Sequence, residues 1–83
     1  MLACRMDLRE VFAANLRRLR HKKGISQEVL AYEAGINRTY ISKLEKAVSY
    51  PGLEIIGKLA IVLEIEPADL LKIANKSPLR RRS

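Results

Sequence analysis

From Gly35 to Lys46 the chain reads GINRTYISKLEK. Hydrogen-bonding groups crowd this stretch: the Asn37 amide, the Arg38 guanidinium, the Thr39 and Tyr40 hydroxyls, and the Lys43 and Lys46 ammoniums. Ile41 and Leu44, three apart, mark the inner side of a helix, which leaves the basic residues on the remaining face. Two uses fit that arrangement. One is an ordinary solvated amphipathic face. The other is a helix that lies in a groove of DNA, where donors and acceptors can meet base edges.

Other chemistries find little here. His21 is the only histidine and Cys4 the only cysteine, too few for a metal cluster or an internal disulfide. A single cysteine favours a reducing compartment. Ser42 has no general-base partner in view and the helix places it beside Ile41, and no phosphate-binding loop or dinucleotide fingerprint occurs. The expectation is a protein that is not an enzyme and uses no metal or cofactor. No apolar run approaches the ~20 residues needed to span a bilayer, and MLACRMDLRE lacks the apolar core of a signal peptide. A soluble cytoplasmic protein, without membrane contact, is expected.

The 83 residues suit one small domain, and the net charge of +7 is unevenly spread along it. Residues 1–46 carry +5, residues 47–75 carry −2 and residues 76–83 carry +4. A basic first half attracts nucleic acid or an acidic membrane surface, although many small domains are basic for solubility alone.

The elements that must position these groups are helices, since apolar residues recur at helical spacing and no period-2 run is long enough for a strand. Leu8, Val11, Phe12, Leu16 and Leu19 make one stripe from Leu8 to Lys23, with Asp7 as cap and Gly24 as a left-handed stop. Ser26 caps a short second helix ending at Gly35, with Ile25 packing back before it. Asn37 opens the third. A fourth runs from about Leu53 to Glu64, with Leu53, Ile56, Ala60 and Leu63 inward, and a fifth starts at Pro67. The expected organisation is a flexible segment 1–7, an all-α domain 8–75 of five helices, and a basic disordered tail 76–83.

The second and third helices meet the demands of a helix–turn–helix. Two helices crossing at ~90–120° need a small residue at the crossing and a glycine that accepts positive φ in the turn. Ala31 and Gly35 supply these. Leu30 and Ala34 on one side, with Ile36, Ile41 and Leu44 on the other, reach one shared core.

On these residues the chain resembles the lambda-repressor-like helix–turn–helix family, also called the Cro/phage-repressor or XRE type. The resemblance runs from about Asn15 to Leu71, and SQEVLAYEAGI, TYISKLE and P.LEIIGKLA.VL carry it. It implies a five-helix, lambda-repressor-like DNA-binding fold and a bacterial or phage transcription regulator whose third helix enters the major groove by its N-terminal end. Carried over by residue, the base readers are Arg38, Thr39 and Lys43, with Asn37 and Tyr40 beside them. Asn37 can equally spend its side chain on the helix cap, and Tyr40 can contact phosphate or pack on the domain. The family places phosphate contacts at Ser26 and Gln27, where a helix N-terminus also favours an anion. Lys46, Ser49 and Tyr50 are further phosphate candidates, and Arg17, Lys22 and Lys23 read mainly as a solvated face. The opening NRTYIS is similar to that of restriction–modification controller proteins.

Arg20 and Glu45 resemble the family's Arg–Glu pair, which would tie the first helix to the end of the third. The family usually places glycine two residues after this glutamate; here it is Ala47, so the loop from Ala47 to Tyr50 can take another path. The resemblance implies a homodimer on a pseudo-palindromic stretch of double-stranded DNA. Ile55, Ile61, Val62, Ile65 and Ile73 supply either the dimer contact or simply a fuller core. The rival reading is an antitoxin-type interaction module with a toxin partner and secondary DNA binding.

Overall fold

In the computed structural model, which describes residues 7–73, four α-helices are followed by one 3-10 turn. They are α1 (Leu8–Lys23), α2 (Gln27–Ala34), α3 (Arg38–Glu45) and α4 (Leu53–Leu63), with the turn at Pro67–Leu70. No strand occurs among the described residues. Cys4, the start of the proposed N-terminal segment and the tail 76–83 lie outside them.

Side-chain oxygens start the first three helices. Asp7 accepts the Arg9 N–H, Ser26 that of Val29 and Asn37 that of Thr39. Each satisfies a donor that the first helical turn leaves without a partner.

All four helices end alike. The N–H groups of Gly24 and Ile25 return to His21 and Arg20, and those of Gly35 and Ile36 to Tyr32 and Ala31. Ala47 and Val48 return to Leu44 and Lys43, and Glu64 and Ile65 to Ile61 and Ala60. This is the paired closure that needs one left-handed residue followed by an apolar one. Glycine fills the left-handed position twice, but Ala47 (φ 63°) and Glu64 (φ 58°) fill it in α3 and α4. The loop after α3 therefore starts along the path a glycine would give. A left-handed alanine costs roughly 1–2 kcal/mol, and glycine's extra chain entropy returns only part of that. Ala47→Gly is expected to raise stability by about 0.5–1 kcal/mol in urea denaturation. A clear loss would mean that residue 47 leaves this conformation in solution.

The core joins every element: Phe12 and Leu16 of α1, Leu30, Ala31 and Ala34 of α2, Ile41 and Leu44 of α3, Ile56, Leu59 and Leu63 of α4, and Leu70. Each fully buried large apolar side chain contributes about 1.5–3 kcal/mol. The inner stripes differ from expectation at helix starts. Leu8 and Leu53 are the first residues of α1 and α4, and both are exposed among the described residues. Leu59, absent from the expected stripe, is fully buried.

The expected fifth helix is only the 3-10 turn. Pro67 starts it, and the Asp69 carboxylate takes the Glu66 N–H. Asn15 Nδ2 then donates to the carbonyls of Leu70 and Lys72, both at 2.8 Å. A helix continuing past Leu70 would need those carbonyls for its own ladder. Asn15 is itself buried inside α1 and holds the end of the domain to it.

Candidate nucleic-acid interface

Helix α3 buries Ile41, Leu44 and Glu45 and exposes Arg38, Thr39 and Lys43. The candidate base readers thus share an outer face that begins at the helix N-terminus, and the core contacts behind fix its position. Asn37 Oδ1 is committed to the Thr39 N–H at 2.7 Å, so capping uses its acceptor while the amide Nδ2 keeps its donors. Ser26 is similar: its Oγ accepts the Val29 N–H, and its hydroxyl proton remains to donate. The start of α2 also offers first-turn N–H groups, although Glu28 in that turn weakens the site for an anion.

Tyr40 is corrected. Its hydroxyl donates to the Tyr50 carbonyl at 3.0 Å and its ring packs on the core, so its proton is already spent and a phosphate would have to displace that contact. Tyr50 is exposed with the Arg9 guanidinium 4.8 Å from its ring centroid. Lys46 is exposed and Ser49 half-buried in the same loop.

Behind α3 the polar contacts converge on Glu45. Arg20 Nε donates to Oε2 at 2.6 Å and Arg20 Nη2 to Oε1 at 2.9 Å, a bidentate fork. Gln27 Nε2 donates to Oε1 at 3.0 Å, and Arg20 Nη1 to the Ile25 carbonyl at 3.0 Å. Burial alone would push the Glu45 carboxyl up, but the hydrogen bonds from Arg20 and Gln27 outweigh it and hold the group below the ordinary carboxylate value. The same carboxylate raises Arg20 above its ordinary value. One carboxylate thus links α1, the start of α2 and the end of α3. Gln27, assigned to phosphate from the resemblance, spends one amide N–H on Glu45 and has a second to offer.

The other basic residues Arg17, Arg18, Lys22 and Lys23 of α1 are exposed, and three of them make polar contacts at the surface. Arg17 Nη1 donates to the Glu45 carbonyl, Arg18 Nη2 to Asn15 Oδ1, and Lys23 lies 3.6 Å from the Glu64 carboxylate. The partners of Asn15 and Arg17 are not among the contacts expected from the sequence. An asparagine inside the stripe Phe12–Leu16–Leu19 was the available signal for the first; the second had none, since its partner is a backbone carbonyl.

Of the residues considered for a dimer contact, Ile55, Val62 and Ile65 pack against the core and Ile61 and Ile73 are exposed. Leu53 and Leu71 join the exposed set. No helix of the described residues is long and apolar enough to cross a membrane, and no group of three His, Cys, Asp or Glu residues among them could hold a metal ion.

The helix-turn-helix family model matches residues 16–70. The control protein C.BamHI of Bacillus amyloliquefaciens is 38% identical over 66 residues, 78% of this chain and 82% of that protein. An uncharacterized HTH-type transcriptional regulator, y4dJ, of Sinorhizobium fredii is 30% identical over 77 residues, 93% of this chain and all of that one. Among solved structures, the restriction–modification controller protein C.AhdI of Aeromonas hydrophila superposes with a TM-score of 0.73 at 42% identity, over 75% of this chain and 94% of that chain.

Proposed function

The chain belongs to the helix-turn-helix family, and from that premise we propose that this DNA-binding transcriptional regulator works as a two-fold dimer on a pseudo-palindromic operator, with α3 of each copy in the major groove. The observation that carries this reading is that Arg38 at the N-terminus of α3, with Thr39 and Lys43 on its outer side, is exposed while Ile41, Leu44 and Glu45 anchor the helix. Arg38 and Lys43 suit guanine O6 and N7, and the Thr39 methyl suits a thymine methyl. Ser26, the second Gln27 N–H, Lys46, Ser49 and the loop at Tyr50 suit phosphates, which position the protein without reading sequence. In this reading the protein acts in the cytoplasm by binding alone, with no catalytic step.

One recognition helix spans only a few base pairs, and two-fold pairing doubles the readout. The outer side of α4 fits a second copy. Leu53 and Ile61 are 86% and 78% exposed, two turns apart, with Gly57 between them. A Cβ on Gly57 would meet nothing within 4 Å, so the chain's own packing does not need glycine there. Close approach of another backbone would. Gly57→Ala is therefore expected to stabilise the monomer by about 0.5–1 kcal/mol while weakening the dimer. Thermal melts and sedimentation across micromolar concentrations separate the two effects. A wild-type chain that stays monomeric throughout would end the dimer proposal.

A restriction–modification controller is the more specific second reading, favoured by the likeness to C.BamHI and C.AhdI. A methyltransferase and a nuclease encoded beside this gene would support it.

A further inference from the structure

We propose that Arg17 is a positioning residue for α3 that fixes the angle at which the helix presents Arg38 and Thr39, and that it is not a phosphate contact. The inference rests on the DNA-binding reading above. Arg17 Nη1 donates to the main-chain carbonyl of Glu45, 28 residues away. That carbonyl is one of the last four of α3, which have no partner within the helix. The carbonyls of Ser42, Lys43 and Leu44 take the N–H groups of Lys46, Ala47 and Val48. Glu45 receives a side chain instead, and that side chain is a cation at the negative end of the helix dipole.

One turn further along α1, Arg20 holds the carboxylate of the same residue. Helix α1 therefore grips Glu45 at two points, main chain and side chain. Ile41 and Leu44 seat α3 on the core, yet with the carboxylate as the only grip from α1 the helix could still rock on that seat. Arg38 lies seven residues from Glu45, a lever of about 10 Å at 1.5 Å per residue. A pivot of roughly 10° would move it about 2 Å, well past the ~0.5 Å that a positioned contact tolerates. The second grip removes that freedom.

The test uses the full chain with Arg17→Ala and Arg17→Lys, an operator duplex selected by the wild type, and a random duplex, titrated across salt. For Arg17→Ala, operator affinity should fall about tenfold and random-duplex affinity stay within about twofold, with the salt slope unchanged. In the free protein, amide exchange at Lys46, Ala47 and Val48 should quicken. Arg17→Lys, which keeps the charge and a donor, should recover part of both. Equal losses on both duplexes with a slope shallower by about one would identify a phosphate contact and overturn the proposal. Unchanged affinity and exchange would overturn it too. If the wild type bound no duplex selectively, the DNA reading itself would fail, and the exchange measurement would still decide whether Arg17 holds α3.

Discussion

Glu45→Ala is expected to destabilise the domain by about 3–5 kcal/mol, the cost of leaving a buried charge without its partner. The Arg20 and Glu45 side chains are only 9% and 4% exposed, so solvent cannot take over for either one. Arg20→Ala should cost a similar amount. The double substitution should cost far less than the two losses added, because removing both groups leaves no orphaned charge. Additive losses would show that the two groups act separately. Acid should mimic the effect. The folded Glu45 carboxyl titrates below its unfolded value, so the pair's contribution is complete above the ordinary glutamate value of about 4.5 and is lost as pH falls through the lower folded value. Glu45→Gln should flatten the stability profile across that acid window. An unchanged profile would mean other carboxylates set it.

Arg38→Ala is expected to cost ~1–3 kcal/mol of discrimination at one base step in each half-site, with little loss on random duplex. The residue is the first of α3 and is exposed at the helix N-terminus, one turn before the buried Ile41. In the proposed reading its removal takes away hydrogen bonds to a base edge and leaves the cap, the core contacts and the Glu45 network in place. The signature is therefore relaxed specificity in an unchanged fold. Equal weakening on operator and random DNA would make Arg38 a phosphate contact instead.

Much of this arrangement was legible in the chain because it rests on local rules. Asp7, Ser26 and Asn37 announce helix starts, Gly24 and Gly35 announce stops, and the 3.6-residue period places Phe12, Leu16, Ile41 and Leu44 inside. What escaped depends on distant partners. Leu8 and Leu53 sit in phase with inner stripes, yet exposure at a helix end is decided by what packs beyond it. The Tyr40 hydroxyl and the Arg17 guanidinium meet backbone carbonyls that carry no side-chain signature. Asn15 shortened the fifth element to a single turn by taking carbonyls 55 and 57 residues away. At Ala47 the missing glycine suggested another path, but the paired hydrogen bonds to Lys43 and Leu44 hold the left-handed conformation against its strain. The candidate base-reading face was visible as a set of residue types; its anchoring through three helices onto Glu45 was visible only in part, as the pair with Arg20.

The central claim is that α3 reads sequence, two copies at a time. Selection of bound duplexes from a random pool tests it most directly. Enrichment of an inverted repeat is expected, with half-sites centred about one helical turn, roughly 10 base pairs, apart. Repeating the selection with Arg38→Ala should erase the preference at one symmetric position in each half. A pool with no preferred sequence, or an enriched site that Arg38→Ala leaves unchanged, would contradict it.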